Sequence, residues 1–333
     1  MNIRATVILA ACLLSLDAAA FGFTVAQDGS GDFRSIQEAI WAAPDYCKQT
    51  ATEIVIKPGI YREKLTIPTS KQRLHLIGED AANTVISWDD YALRSNAAGF
   101  PMGTSATSTV FVYADDFLAE NITFENSAGE GREIAQACAI SVAADRAAFI
   151  RCRFVGNQDT IYTYGKGQRH YFRDCHIEGT TDFIFGASTC WFEGCTILCK
   201  KNSYITAAST PRGQKFGYVF RNCRITAAEG VDRCYLGRPW RKYARTVFID
   251  CELGGHILPQ GWHDWDKPYA HATTFYAEHG SRGEGARGPR VRWARRLSSR
   301  QLAEYTPGNV LNPGTEEDKN GIQQPVEWYF KVF

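Results

Sequence analysis

Five segments of the chain share one pattern, in which Phe stands three residues before Cys and an apolar residue stands two residues after it. The segments are Phe149–Phe154, Phe172–Ile177, Phe192–Ile197, Phe220–Ile225 and Phe248–Leu253. Successive cysteines of the pattern lie 23, 20, 28 and 28 residues apart, and a degenerate copy lies around Phe117–Phe124. A unit of this length that recurs along the chain indicates a repeat architecture.

The spacing of Phe and Cys within the repeat indicates which architecture it builds. Residues three apart face opposite sides of a strand, so the chain must bend between Phe and Cys if both point inward. The repeats are rich in Phe, Ile, Val, Thr and Tyr and are interrupted by Gly and Asn, which favours strands over helices. We therefore predict an all-β solenoid of short strands with the cysteines in a small apolar ladder inside it.

Both ends of the predicted solenoid carry helix signals. Ser35 followed by Glu38 forms a capping box, and apolar residues at helical spacing come after it. This pattern predicts a short helix that closes the N-terminal end of the solenoid. The stretch Leu297–Tyr305 predicts a second helix near the other end. No low-complexity linker divides the chain, so we predict a single domain over residues 21–333.

The N-terminus has the features of a secretory signal peptide. The apolar run Ala5–Leu16 follows Arg4 and is succeeded by the small residues Ala18–Ala20. This pattern predicts cleavage after residue 20 and a secreted, extracellular protein. A lipoprotein signal ending at Cys12 is the alternative, although the apolar stretch before that cysteine is short. No apolar run reaches the roughly 18 residues of a membrane helix, so no membrane span is expected.

Charge and cysteine spacing narrow the classes of partner. The chain has 37 Lys and Arg against 36 Asp and Glu, a net charge of +1, so no overall field attracts nucleic acid. Removal of residues 1–20 leaves ten cysteines; export would allow them to form disulfides, whose pairing the sequence does not give. No Cys-x-x-Cys spacing occurs, and the close pair Cys195 and Cys199 has no histidine nearby in the sequence, so no metal site is predicted.

Two acidic residues occupy equivalent places on successive repeats. Asp159 follows Cys152 by seven residues, and Asp182 follows Cys175 by seven. If the coils stack in register, the two carboxylates lie roughly 5 Å apart, the spacing of neighbouring strands. Two carboxylates so close have pKa values that split, which leaves one as a proton donor and the other as a charged nucleophile or base. Acidic residues that only bind backbone donors at turns are the alternative interpretation.

The surroundings of the pair favour a catalytic role. Gln158 precedes Asp159 and can donate an amide hydrogen to an oxyanion. Asp182 lies in an apolar run and needs a partner to stay charged, for which Arg238 is the best candidate. Tyr162 and Trp240 offer flat surfaces on which a sugar ring can stack.

With these motifs the sequence closely resembles the pectin methylesterases, the pectinesterase family of carbohydrate esterases. The matching motifs occur in the family's order and span nearly all of the chain after residue 20. They are Gly59–Glu63, Gln136–Ala137, Gly156–Tyr162, Asp182–Gly186 and Leu236–Trp240. The resemblance implies a right-handed parallel β-helix, hydrolysis of the methyl esters of pectin to pectate and methanol, and no metal or organic cofactor. A monomer is expected for this architecture.

The resemblance also assigns a role to each site residue. Asp182 corresponds to the nucleophile, and Asp159 corresponds to the general acid that later acts as base. Gln136 and Gln158 correspond to the glutamines that stabilise the oxyanion, and Arg238 to the residue that orients Asp182 and keeps it ionised. The remaining substrate-binding positions are Thr104, Tyr162, Phe185 and Trp240, to which Gln136 and Arg238 also contribute.

Three other functions compete with this interpretation. A pectin-active lyase or polygalacturonase on the same scaffold is disfavoured, because the sequence has no acidic cluster of the kind that binds calcium in a lyase. A non-catalytic β-helix that binds polyuronate would not need Asp159, Asp182 and Arg238 together. A β-helix esterase that acts on a non-pectin acyl ester, anchored by lipid at Cys12, is the third possibility.

Overall fold

The computed structural model describes residues 21–47, 50–311, 315–317, 323–325 and 328. The predicted signal peptide, residues 1–20, lies outside the described residues. The predicted repeats are coils of a right-handed parallel β-helix, in which successive coils contribute strands to three long sheets, here called A, B and C. Neighbouring strands within each of these sheets are parallel.

Sheet A has eleven strands. In sheet order they are β1 (Phe21–Val25), β2 (Thr52–Ile56), β5 (Leu74–Gly78), β8 (Leu118–Glu120), β11 (Ala147–Ile150), β14 (Arg169–Arg173), β17 (Thr189–Glu193), β20 (Tyr218–Arg221), β23 (Arg245–Ile249), β25 (Phe275–His279) and β26 (Arg295–Arg296).

Sheets B and C have eight and seven strands. Those of sheet B are β3 (Gly59–Tyr61), β6 (Thr84–Trp88), β9 (Thr123–Asn126), β12 (Arg153–Val155), β15 (His176–Gly179), β18 (Thr196–Cys199), β21 (Arg224–Ala227) and β24 (Glu252–Leu253). Those of sheet C are β4 (Leu65–Ile67), β7 (Val110–Val112), β10 (Ile140–Val142), β13 (Ile161–Thr163), β16 (Ile184–Gly186), β19 (Tyr204–Ala208) and β22 (Tyr235–Gly237).

The Phe and Cys of each repeat both point into the core, as the spacing predicts, and one residue makes the bend. The residue before Cys has a positive φ, for example 54° at Asp174 and 63° at Gly194. Asp, Asn and Gly adopt this left-handed conformation more easily than other residues, which accounts for their frequency at the corner between sheets A and B. The bend turns a separation of three residues into two inward side chains.

Two ladders of identical side chains fill this corner of the core. Phe172, Phe192 and Phe220 stack on successive coils with ring centroids 4.6 and 4.4 Å apart. The cysteine thiols donate to backbone carbonyls of the preceding coil, as Cys195 does to Phe172 at 3.5 Å. The cysteine ladder is therefore confirmed, and the nine buried cysteines that the structure describes are free thiols.

Helix α1 (Ile36–Ala42) packs on the N-terminal end of the solenoid, as predicted. Ser35 caps it and accepts a hydrogen bond from the Glu38 backbone. The second half of the predicted capping box differs, because Glu63 on the neighbouring coil takes its place. The Glu63 carboxylate accepts from the Ser35 hydroxyl and from the backbone N–H groups of Ile36 and Gln37.

The C-terminal end differs from the single helix predicted over Leu297–Tyr305. It contains two short helices, α2 (Ser299–Leu302) and α3 (Pro307–Leu311), because the chain turns between them and buries Tyr305 against Phe216. Strands β27 (Thr315–Glu317) and β28 (Gln323–Pro325) form an antiparallel pair beyond them. Among the described residues, the helices are all too short or too polar to cross a membrane.

Candidate active site

The candidate site lies on the outer face of sheet C, where successive strands present one residue each in register. Tyr162 on β13 pairs with Phe185 on β16, which pairs with Ala207 on β19. The alternate residues of these strands, such as Ile161 and Ile184, point into the core. The two aromatic rings stack face to face, with centroids 4.4 Å apart and planes within 4° of parallel.

Asp159 and Asp182 lie at the turns that lead into β13 and β16. They occupy the same register position, two residues before the paired Ile161 and Ile184. Both adopt the left-handed conformation, with φ of 68° and 50°. Each backbone N–H donates to a carbonyl of the next coil, Asp159 to Thr181 at 3.1 Å and Asp182 to Tyr204 at 2.8 Å. The coils therefore place the two carboxylates one strand apart, as the sequence predicts.

Arg238 grips the carboxylate of Asp182 at two points. Its Nε donates to Oδ1 at 3.0 Å, and its Nη2 donates to Oδ2 at 2.7 Å. The guanidinium itself lies between two aromatic rings, with its Cζ 3.9 Å from the centroid of Tyr204 and 3.7 Å from that of Trp265. This arrangement satisfies the charge of Arg238 and fixes its plane, so the orientation of Asp182 is fixed with it.

The surroundings separate the pKa values of the two carboxyl groups. Asp159 is 8% exposed, and burial together with the negative charge of Asp182 raises its pKa well above the ordinary value. Burial also raises the pKa of Asp182, which is 5% exposed, but the hydrogen bonds and charge of Arg238 act in the opposite direction. Burial and a neighbouring charge thus favour the protonated form of Asp159, whereas Arg238 favours the charged form of Asp182.

A cleft of about 450 Å³ opens over these side chains. All nine residues predicted for the site line it: Thr104, Gln136, Gln158, Asp159, Tyr162, Asp182, Phe185, Arg238 and Trp240. Gln136 and Gln158 belong to adjacent coils, which a bond from the Ala137 N–H to the Gln158 carbonyl joins at 3.1 Å. The cleft thus brings two side-chain amides, two carboxyl groups and a guanidinium together.

Comparison with known proteins agrees with this geometry. The model of the family named Pectinesterase matches residues 22–314. The chain belongs to the pectinesterase family. It is 39% identical over 305 residues to Pectinesterase 31 of Arabidopsis thaliana. That alignment covers 89% of this chain and 93% of the relative. It is 38% identical to Pectinesterase 4 of the same plant, of whose length it spans only 50%.

Solved structures of the family have the same fold. A pectin methylesterase from carrot superposes with a TM-score of 0.81 at 33% identity, covering 88% of this chain and 94% of that one. A pectin methylesterase from Erwinia chrysanthemi superposes with a TM-score of 0.75 at 31% identity, covering 88% of this chain and 96% of that one. A pectin methylesterase in complex with a hexasaccharide superposes with a TM-score of 0.75 at 32% identity, covering 88% of this chain and 98% of that one. The predicted family, the parallel β-helix and the class of carboxylic ester hydrolases are thereby confirmed.

Sequence reasoning missed several residues of this pectinesterase site. Ser105, Ala207 and Trp265 also line the cleft, and Tyr204 lies behind Arg238. Trp265 follows the polar residues His263 and Asp264, and a large aromatic residue in such a loop is the signal that could have found it. Ser105, Ala207 and Tyr204 carry no comparable signal, because only the stacking of coils brings them to the site.

Proposed function

We propose that Asp182 is the nucleophile, and Asp159 the general acid and base, with which this pectinesterase hydrolyses the methyl esters of pectin. One observation carries the proposal: two buried carboxylates occupy the same position on adjacent coils, and Arg238 grips only one of them. The pair is thereby asymmetric, which favours the proton on Asp159 and the charge on Asp182.

The first half of the proposed reaction forms a covalent intermediate. An oxygen of Asp182 attacks the ester carbonyl carbon of a galacturonate unit, and the carbonyl oxygen becomes an oxyanion. The side-chain amides of Gln136 and Gln158 donate hydrogen bonds to that oxyanion. The bond to the methoxy oxygen then breaks as Asp159 gives it a proton, which leaves methanol and a mixed anhydride between galacturonate and Asp182.

The second half restores the enzyme. The ionised Asp159 takes a proton from a water molecule, and the resulting hydroxide oxygen attacks the galacturonate carbonyl of the anhydride. The carboxylate of Asp182 leaves and returns to Arg238. The net reaction consumes one water and one methyl ester and gives one carboxyl group and one methanol.

The aromatic side chains around the acidic pair supply the proposed binding surface for the polymer. The stacked rings of Tyr162 and Phe185 and the tilted ring of Trp240, 5.8 Å from Phe185, form an apolar wall beside the carboxylates. Sugar rings stack on such faces through their C–H bonds. Thr104 also lines this cleft and offers a hydroxyl to the sugar.

Methanol release from highly methylated pectin tests the roles of the two carboxylates. We expect release by the wild type and none by Asp182→Asn, with no product that carries the absorbance of an unsaturated sugar. Asp174→Asn is the matched control, because Asp174 also has a positive φ but lies on the exposed corner away from the cleft. Full activity of a folded Asp182→Asn variant would reject its role as nucleophile.

The same assay separates the competing functions. An unsaturated product would indicate a lyase. Release of another alcohol or acyl group, with methyl pectin left intact, would indicate an esterase of a different substrate. Binding of polyuronate with no turnover by the wild type would indicate a binding protein.

We also propose that the enzyme is a secreted, extracellular monomer in which residues 21–333 form one domain. The apolar run and small residues before position 21 support export. Intact-mass analysis of the exported protein tests the processing: a mature N-terminus at Phe21 is expected, and a lipid-modified Cys12 would refute it.

A further inference from the structure

Three buried side chains from three successive coils meet where sheet B leads into sheet C. Cys199 is the last residue of β18, Cys234 immediately precedes β22, and His256 lies just after β24. Their two sulfur atoms and one imidazole nitrogen all lie within 4.8 Å of one another. The coils are held in this register by backbone bonds, such as that from the Cys234 N–H to the His256 carbonyl at 2.7 Å.

His256 is the unusual member of the group. It is only 7% exposed, and its Nε2 has no hydrogen-bond partner among the residues that the structure describes. A buried polar atom left unpaired costs about 1–3 kcal/mol, so such an atom calls for an explanation.

The space around the imidazole is also specific. A Cβ at Gly254 would lie 2.7 Å from Nδ1 of His256, so only glycine leaves room for the ring in this position. The two cysteines are buried free thiols, and Cys234 donates to the carbonyl of Lys201 at 3.2 Å. Two thiols and an imidazole therefore lie together in a pocket that is shaped to hold the ring.

We propose that Cys199, Cys234 and His256 bind a Zn²⁺ ion. Tetrahedral zinc with Zn–S of about 2.3 Å and Zn–N of about 2.0–2.1 Å separates its ligand atoms by about 3.5–3.8 Å, which small side-chain movements reach from the observed positions. On binding, each thiol releases a proton to solvent. The two thiolates then balance the double charge of the ion, so the site is neutral, as its burial requires.

An open cleft provides the route and the remaining coordination position. His256 lines a cleft of about 550 Å³ that also borders Gly254, Val231 and Glu284. Water entering through this cleft completes a site that has three protein ligands. The metal thus has access from solvent, although its three ligands are buried.

The position of the proposed ion connects it to the active site through the chain. Cys199 precedes Tyr204 by five residues, Cys234 precedes Arg238 by four and His256 precedes Trp265 by nine. These are the three residues of the guanidinium stack. A metal that ties the three coils together therefore limits the freedom of the strands that hold Arg238, and its expected role is structural.

Metal content and thiol reactivity of the full-length purified protein test the proposal. After expression with zinc and dialysis, we expect about one zinc per chain in the wild type and almost none in Cys234→Ala or His256→Gln. Cys223→Ala is the matched control, since it removes a buried ladder thiol that has no histidine beside it, and it should retain zinc. Cobalt in place of zinc should give the intense near-ultraviolet band of thiolate ligation in the wild type, and chelation should lower Tm.

Three results would overturn the proposal. The first is a wild-type protein that retains no more zinc than Cys234→Ala and shows no thiolate band with cobalt. The second is a disulfide between Cys199 and Cys234 in non-reduced peptide maps of the freshly purified protein, because a disulfide removes both thiolates. If the variants fail to fold, the wild type decides alone: zinc should protect these two cysteines from alkylation, and equal labelling with and without zinc refutes the site.

Discussion

Replacement of Arg238 by alanine gives the most informative test of the asymmetric acidic pair. Arg238 makes two charge-assisted bonds to a carboxylate that is 5% exposed. Removal of one partner from a buried ion pair costs about 3–5 kcal/mol, because the other charge is left without compensation. The loss falls on the ionised form of Asp182, so its pKa rises further in the variant.

The magnitude of the kinetic effect follows from that free energy. On the acidic side of the profile, where most Asp182 is protonated, kcat is proportional to the ionised fraction. A cost of about 3–5 kcal/mol therefore lowers kcat there by about 100-fold or more, at tenfold per 1.4 kcal/mol. The deficit narrows as pH rises, because the variant regains the charge on Asp182.

The assay is a kcat–pH profile of methanol release for wild type, Arg238→Ala and Arg238→Lys. Lysine keeps the positive charge but loses the two-point grip and the planar stack between Tyr204 and Trp265. Its acidic limb should stay close to that of the wild type, with kcat lowered at every pH by misorientation. If Arg238→Ala has the wild-type limb and a loss that does not vary with pH, Arg238 does not control the ionisation of Asp182.

Three further predictions concern stability and the second carboxylate. Asp159→Asn should abolish turnover yet raise Tm at neutral pH. The folded protein holds the Asp159 proton more tightly than the unfolded chain does, so the wild type loses stability as pH rises above about 3.9. A Tm difference between variant and wild type that stays the same at lower pH would contradict this explanation. Phe192→Ala, which breaks the stack between Phe172 and Phe220, should lower the free energy of unfolding in urea by about 3–5 kcal/mol. Phe192→Leu should lower it by less, because leucine leaves a smaller cavity. Equal losses in the two variants would show that the buried side-chain volume does not set the cost. Glu63→Gln should lower the free energy of unfolding by about 1–2 kcal/mol, because it weakens the cap of α1, and it should leave activity unchanged. An unchanged urea unfolding curve would show that the Ser35 hydroxyl caps the helix without help from Glu63.

The motif Gly59–Glu63 has a structural role away from the cleft. The motif Gly59–Glu63 contributed to the resemblance to pectinesterases, yet its residues do not line the cleft. Tyr61 donates to the carbonyl of Lys57 at 2.8 Å, and Glu63 caps a helix. This segment therefore serves the closed end of the solenoid.

Much of the fold and of the site could be predicted from the sequence, because a solenoid converts sequence period into spatial register. Phe and Cys recur at fixed offsets, so Asp159 and Asp182, each seven residues after its Cys, must come to equivalent positions on stacked coils. The local signals were less complete at the ends. A capping box identified α1, but its second acceptor comes from Glu63, and Tyr305 interrupts the predicted C-terminal helix because it packs on Phe216.

Contacts between residues far apart in sequence were decided by the tertiary structure. Two sets of contacts join different coils: Arg238 stacks between Tyr204 and Trp265, and Cys199 meets His256. The number of residues between these positions varies with the length of the loops. No periodicity in the sequence fixes those separations, because loops outside the sheets can differ in length without disturbing the ladder of backbone hydrogen bonds. The repeat thus determined which strand lies on which, and the folded coils determined which loop side chains meet.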